Sequence, residues 1–261
     1  IQRAFDSPPV HDHRPTARII VRGEVNRVAG GQGTRVTRKS KAHAKQRTLH
    51  PAQVSAFQSL LHNFVRHAQH HYRVQCVQFH LTFEQCFLQH VHKMVKQFSD
   101  VLPNVTLHTY FSHHTTGTQS LNVAKAFRTR PQPPTDATFI VRGDCLFAKP
   151  FRFGALHQST ERMYVISRAF HYRPSRPYVV DLFWYVPRKF NDVFYKALLT
   201  NHQKTLTNPR QGLHLLYQWL EHDFGISKKH LGFMFEKGYN RAIVNDVCEI
   251  ILREYALSLI H

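Results

Sequence analysis

The sequence predicts an α/β fold, with a mostly parallel sheet covered by helices on both faces. Three observations predict it. Short β-branched runs alternate with longer stretches of helical spacing across the first 150 residues, and that alternation builds strand–helix–strand crossovers. The 261 residues are 42% hydrophobic, which suits a packed core and is too apolar for a disordered chain. Two of the β-branched runs end in the same three-residue pattern of arginine, glycine and carboxylate: Arg22-Gly23-Glu24 and Arg142-Gly143-Asp144.

The elements follow in order. Residues 1–17, rich in proline and polar side chains, are expected to form a flexible N-terminal segment, with 18–261 as a single α/β domain. "RIIVRG" (18–23) is a first strand stopped by glycine. A basic, Gly-rich loop runs from Gly30 to Thr48. Val54, Phe57, Leu60, Leu61, Phe64 and Val65 then fall at helical spacing, and Pro51 suits a first turn. "YRVQCVQFHL" (72–81) alternates as a second strand, with Val74, Cys76 and Gln78 divided between its faces. A helix around 84–98, a strand "NVTLHTYF" (104–111) and a helix over 117–128 follow. The Pro-rich "RTRPQPPTDA" then leads to a fourth strand in "TFIVRGDCLFAKPF" (138–151). In the second half, "MYVISRAF" and "YVVDLFWYV" read as strands and Pro187 to Thr200 as a helix. "LHLLYQWLEHDFG" reads as a helix ended by Gly225, and 240–259 as a last helix.

Charge narrows the partners. Thirty-five Lys and Arg against 16 Asp and Glu give a formal +19, an excess that favours anionic partners: nucleic acid, nucleotides, phosphates, acidic glycans or anionic membrane. The basic residues form no long stripe. Their densest run, "RVTRKSKAHAKQR" (35–47), reads equally as a solvated loop or a binding arm. No apolar run approaches the roughly 20 residues of a membrane helix, and no N-terminal segment has signal-peptide character. Ile1 in place of Met leaves room for an upstream anchor, so the compartment stays open. The four cysteines show no C-x-x-C spacing, which speaks against a disulfide framework or a cysteine-built zinc site.

In open parallel sheets, ligands bind beyond the carboxyl ends of the strands, which is where both arginine–glycine–carboxylate patterns fall. Glycine lets backbone approach a ligand, arginine grips phosphate bidentately, and a carboxylate holds a cation or a sugar hydroxyl. A buried structural Arg142–Asp144 pair is the plain alternative. "GGQGTR" lacks the Lys-Ser/Thr of a phosphate loop and the spacing of a dinucleotide fingerprint, so it also reads as a plain connection. His67 and His71 stand four apart on a helix without the glutamate of an H-E-x-x-H site. His113 and His114 follow the third strand, on the same ligand-binding edge.

Three blocks, "RIIVRGEVNRVAGGQGTRVT", "ATFIVRGDCLFAKPF" and "YVVDLFWYVPRKFNDVFY", resemble those of a glycosyltransferase-like group of viral and algal proteins, across roughly residues 18–200. The order of elements also resembles the GT-A nucleotide-sugar transferases, whose fold is Rossmann-like. In that group a fourth strand ends in Asp-x-Asp, which holds the metal and the nucleotide diphosphate. Asp144 matches the second aspartate, and Arg142 stands in place of the first.

The resemblance implies transfer of a sugar from a nucleotide-sugar donor to a glycan or protein acceptor, with Mn²⁺ or Mg²⁺ as cofactor at Asp144. Arg142 in the first position puts metal dependence in question. Arg22, Gly23, Glu24, Arg27, Arg35, Arg142 and Lys149 become candidates for the donor site. Asp144 and Asp181 become candidate catalytic groups, Asp181 as the base for the acceptor hydroxyl or else a strand-end cap. Trp184 and Tyr185 read as a sugar platform or as core. Two other classes remain: a basic nucleic-acid-binding or -processing domain, and a catalytically silent glycan-binding relative.

Overall fold

The computed structural model describes residues 13–25, 49, 51–83, 85–112, 119–129, 134–157, 159–167, 179, 182–207 and 213–235. Among these residues seven strands form one sheet: β1 (Thr16–Glu24), β2 (Arg73–Thr82), β3 (Thr106–Ser112), β4 (Ala137–Arg142), β5 (Met163–Ser167), β6 (Phe183–Pro187) and β7 (Leu231–Phe235). Their order across the sheet is β3-β2-β1-β4-β6-β5-β7. The β3-β2-β1-β4 half is parallel throughout, β6 runs antiparallel to both β4 and β5, and β7 is parallel to β5.

β1 is central because its sequence is apolar on both faces: Ile19, Ile20 and Val21 are all fully buried, as strands covered on two sides require. Side chains alternate, so β1 feeds two cores. Ile19 and Val21 join Phe79, Phe139 and Val141 beneath α1 (Pro51–Ser59) and α2 (Leu88–Val101). Ile20 joins Ile140 and Trp184 beneath α3 (Gln119–Arg128) and the long helix α5 (Asn191–Thr207). Between them in the chain lies the one-turn helix α4 (Gly154–His157), and α6 (Leu216–His222) packs on α5.

α1 does not end at Ser59. It continues through a π-helical segment, Leu60–Val65, into a last helical turn, Arg66–Ala68. In β2 the register skips Gln75: Ala17 pairs with Val74, but Arg18 pairs with Cys76. This bulge puts Val74 in the same core as Val77 and Phe79. It leaves Cys76, Gln78 and His80 on the opposite face, a division that strict alternation does not give.

Some boundaries differ from expectation. Thr16 and Ala17 belong to β1 and not to the N-terminal tail, because Asp136 accepts hydrogen bonds from the Thr16 amide (2.8 Å) and hydroxyl (2.7 Å). Of the strand expected over 178–186, β6 covers 183–186 and runs on to Pro187, while residues 178, 180 and 181 lie outside the described residues. A 3-10 turn, Arg188–Phe190, delays α5 to Asn191. The expected helix 213–225 is helical in α form only over Leu216–His222, and Gly225 follows at φ +61. β7 was not foreseen: "LGFMF" is short and carries Gly232 inside it, which weakens any strand signal. The expected helix at 240–259 lies outside the described residues.

Candidate functional site

The strand order fixes where a ligand belongs. From β1 the chain steps outward through β2 to β3, then returns to lay β4 on the other side of β1. The helices on either side of this point pack on opposite faces of the sheet, and in sheets of this kind ligands bind in the crevice that such a reversal leaves at the carboxyl ends of the strands, here β1 and β4. Arg22 and Arg142 stand there in register, on the same face of adjacent parallel strands. Both are 3% exposed. Gly143 donates its N–H to the Arg22 carbonyl at 2.8 Å, so the two arginine–glycine turns are fastened side by side. Gly23 needs to be glycine, since its φ of +132 is a conformation that L side chains rarely adopt.

Arg142 to Cys145 form a tight turn, closed by the Cys145 N–H donating to the Arg142 carbonyl at 3.3 Å. Within it the Arg142 guanidinium grips Asp144 with two parallel bonds. Nε donates to Oδ1 at 2.8 Å, and Nη2 donates to Oδ2. Each side chain of this pair is 4% exposed. The fork-on-fork geometry fixes the direction of the guanidinium as well as compensating its charge.

Beyond the turn the chain dives back into the core, which explains the apolar residues after Asp144. Cys145, Phe147, Phe151 and Phe153 are all buried. Phe64 sits at the hub of this cluster, with ring centroids 5.0 Å from Phe147, 4.9 Å from Phe151 and 5.1 Å from Phe153. α1 and its π-helical extension clamp the same loop by hydrogen bonds. Gln53, fully buried, donates to the Gly143 carbonyl at 2.8 Å. The Phe147 N–H donates to the Ser59 hydroxyl at 3.0 Å, and Asn63 donates to the Phe147 carbonyl at 2.5 Å. The Phe151 N–H donates to the Asn63 carbonyl at 2.8 Å. π-Helical turns recur at functional sites because they reposition side chains within a helix, and this one presents Asn63 and Phe64 to the loop.

The first turn of α1 thus rests on the Gly143 peptide. That turn holds no acidic residue, so the positive end of the helix dipole reinforces the arginines in favouring an anion.

The row through Arg142 and Arg22 continues into His80 of β2 and Tyr110 of β3, which pair in register. The His80 and Tyr110 rings stack at 4.4 Å with an interplanar angle of 15°. Burial, with Arg18 and then His108 adding positive charge nearby, pushes His80 down to about 4. Its ring is therefore neutral near pH 7. Arg18, four residues before Arg22 on the same face of β1, is buried, donates to the Thr138 hydroxyl at 2.8 Å, and lies over the Phe127 ring at 4.8 Å.

Of the residues expected at the site, the structure brings together Arg22, Gly23, Arg142 and Asp144. Glu24 closes β1; its side chain lies outside the described part. Arg27, Arg35, Asp181, His113 and His114 also lie outside the described residues. Lys149 is exposed, in the clamped loop between Phe147 and Phe151. Trp184 and Tyr185 are core. Trp184 packs on Phe194 at 5.4 Å, and Tyr185 packs on Phe139 at 5.3 Å while its hydroxyl donates to the Ser159 carbonyl at 2.7 Å. His67 and His71 face each other at 5.8 Å, and each ring also packs against Phe153.

Both oxygens of Asp144 accept from Arg142, so a cation at Asp144 would share them with the guanidinium. Among the described residues no group of three His, Cys, Asp or Glu is placed to hold a metal ion. Gln53, Asn63 and His80 escaped the sequence reading. A polar residue in a helix or strand carries no mark of whether it faces inward, and these matter only through partners far along the chain.

No protein-family model and no curated protein matches the sequence. Solved structures do match in three dimensions. A protein of Bacillus anthracis, provisionally assigned as a glucose-1-phosphate thymidylyltransferase and solved with sucrose, aligns with a TM-score of 0.51 at 13% identity, covering 94% of this chain and 93% of its own. The fold is shared. The glycosyltransferase GlyE of Streptococcus pneumoniae aligns at TM-score 0.45 and 10% identity, over 85% of this chain and 45% of its own. A mannosyltransferase of Pyrobaculum calidifontis, solved with GDP-mannose and Mn²⁺, aligns at 0.40 and 13%, over 74% of this chain and 50% of its own. The chain therefore spans about half the length of these two glycosyltransferases.

Proposed function

We propose that the protein is a nucleotide-sugar-dependent glycosyltransferase whose donor diphosphate lies in the crevice between the carboxyl ends of β1 and β4. The observation that carries this reading is the fastening of Arg22-Gly23 to Arg142-Gly143 at the point where strand order reverses. Glycosyl transfer separates a nucleoside diphosphate from the sugar. The barrier falls when preorganised positive groups meet the charge developing on the leaving oxygen. Arg22 and Arg142 are buried and held by backbone pairing, so they need no reorganisation to do so. Arg27, Arg35 and Lys149 are further donor-site candidates, and Asp181 is the candidate base for the acceptor hydroxyl. Grouping the chain with viral and algal transferases rests on the three sequence blocks within residues 18–200.

The test is a transfer and hydrolysis assay over UDP-, GDP- and CDP-sugars, reading released nucleoside diphosphate. Turnover of one donor that falls at least 100-fold in Arg22→Gln, with the fold intact by circular dichroism, supports the reading. Binding of a donor without turnover in any acceptor mixture favours the second reading, a catalytically silent relative. That reading draws on the engagement of both Asp144 oxygens by Arg142. A nucleic-acid partner, motivated by the basic run 35–47, is not favoured, since the fold is shared with a protein assigned as a glucose-1-phosphate thymidylyltransferase.

A further inference from the structure

We propose that the edge of the sheet opposite the crevice, where the parallel strands begin, is a docking face for an anionic lipid surface. The proposal goes beyond the transferase reading and does not depend on it.

Topology gathers this edge from distant parts of the chain. β1 to β4 run parallel, so their first residues lie together. β6 runs the other way, and its last residue, Pro187, pairs with Ala137 at the start of β4. Arg188 and Lys189 follow Pro187 onto the same edge. β5 and β7 begin there too, with Met163 beside Leu231 in register. Contacts knit these segments together: Lys189 pairs with Glu161, the Arg162 Nε donates to the Lys229 carbonyl, and the His230 ring lies 5.7 Å from Phe190.

Basic residues mark most of the elements that end here. Arg73 opens β2, while Arg162 and Lys229 stand just ahead of β5 and β7, and all three are exposed. The crossover helices run back against the strands and close on the same edge. Arg66 lies in the last helical turn that continues α1, and Arg128 in the last turn of α3, both exposed and on opposite faces of the sheet. From β2 to β7 the edge spans five strand spacings, about 24 Å.

The fold does not call for most of these charges. A cation at a helix C-terminus complements the dipole, which accounts for Arg66 and Arg128. Sheets carry little net dipole, so Arg73, Arg162 and Lys229 gain nothing of that kind. Arg188 and Lys189 precede the first turn of α5, the end at which a helix dipole disfavours a cation. Carboxylates at this edge are fewer. Asp136 accepts from Thr16, Glu161 pairs with Lys189, Glu221 with Lys228 and Asp100 with Lys96, while Asp192 stands in the first turn of α5. Among the described residues no carboxylate pairs with Arg73, Arg162, Arg188 or Lys229. The segments outside the described residues that join this edge in sequence, 1–12, 130–133 and 158, add Asp6 and Asp12 against Arg3 and Arg130.

The spread of the cations selects the partner. They occupy the sheet edge and the helix layers on both sides of it, an array in two dimensions that meets a plane of headgroups. Exposed Lys and Arg are drawn to such a plane by its negative surface potential. A single nucleic-acid strand needs aromatic side chains on which its bases stack. Phe190 is buried, and Tyr110, the exposed large aromatic among the described residues, lies past the middle of β3, away from this edge. Helix ends and turns reach the edge from the described residues, and none of them lays a helix side or a β-ribbon there to enter a duplex groove. Docking in this way leaves the crevice open to solution, since Ala137 and Arg142 are the two ends of β4, about 17 Å apart.

The experiment is co-sedimentation of the full chain with phosphatidylcholine vesicles, with and without about 30% phosphatidylserine, at roughly 0.1 M and 0.5 M salt. The expected result is binding only to the vesicles that contain phosphatidylserine, lost at the higher salt. Arg188→Gln/Lys229→Gln, with the fold checked by circular dichroism, is expected to weaken it at least fivefold. Lys93→Gln/Lys196→Gln, an equal change of charge at exposed positions along α2 and α5, is expected to weaken it less than twofold. If the first double variant does not fold, Arg73→Gln replaces it, with an expected loss of at least twofold. Equal weakening by the edge and helix variants overturns the proposal, because the overall charge of the chain then accounts for binding. Failure of the wild type to bind phosphatidylserine vesicles at low salt overturns it as well. Binding of a DNA duplex through Arg188 and Lys229 without vesicle binding overturns it in favour of a nucleic-acid face.

Discussion

Removing Asp144 from its pocket gives the sharpest test of how the turn after β4 is built. In Asp144→Ala the Arg142 guanidinium loses two charge-assisted hydrogen bonds, one of them 2.8 Å long. It stays buried, since both side chains are only 4% exposed. Breaking a buried pair by deleting one partner costs about 3–5 kcal/mol, because the survivor stays buried without that partner's charge. The upper half of that range applies if Arg142 cannot swing into water. Its backbone argues for this, being pinned by its N–H to the Leu182 carbonyl at 3.1 Å and by the Gly143 bond to Arg22. Urea denaturation followed by circular dichroism reads the loss. The double variant Arg142→Met/Asp144→Leu is expected to recover most of it, as apolar replacements of buried ion pairs do. A cost below about 1 kcal/mol for Asp144→Ala would refute the reasoning, for it would mean that the carboxylate does not hold the guanidinium and is free to serve a ligand or metal.

Three further outcomes follow from the geometry. Gly23→Ala should destabilise by about 1–3 kcal/mol, because φ +132 strains any side chain. Gly143→Ala, its neighbour across the crevice, should cost less, as its added methyl would meet Val21, Leu81 and Phe57 at 3.4–3.5 Å with no positive φ; thermal melts of the two variants separate them. Gln53→Leu leaves the buried Gly143 carbonyl without its donor, a loss of about 1–3 kcal/mol, and should weaken nucleotide binding through the displaced turn. For His80 the folded pKa of about 4 lies below its ordinary 6.5. The unfolded chain therefore binds the proton first. The stabilisation from a neutral His80 is complete above pH 6.5 and is lost as pH falls toward 4, by at most about 3 kcal/mol. Urea midpoints between pH 7.5 and 4.5 should fall less steeply in His80→Gln than in the wild type.

The sequence showed the half of the fold that local signals specify. β1, β2, β3 and β4 are short apolar or β-branched runs, two of them meeting glycine at Gly23 and Gly143, each separated by a stretch of helical spacing, so their order along the chain and parallel sense could be read directly. The repeated arginine–glycine–carboxylate pattern marked both walls of the crevice. What it could not show is that the two patterns are abreast, because that depends on β4 returning to the far side of β1. Nor did it show the clamp: Ser59 and Phe147 are 88 residues apart, and Gln53 and Gly143 are 90 apart. Neither residue type announces such a partner. β7 stayed hidden because five residues around a glycine carry little strand signal until the Tyr164 ring is seen packed over Gly232. The role of Asp144 turned on geometry as well. From sequence it was open to a metal, a substrate or Arg142, and the structure shows both oxygens on Arg142.

The most direct measurement is a crystal structure with whichever nucleoside diphosphate binds most tightly. The expected result is the diphosphate at the β1–β4 crevice, within hydrogen-bond reach of the Arg22 and Arg142 guanidinium groups, with Asp144 still paired to Arg142. Phosphates bound elsewhere on the chain would contradict it.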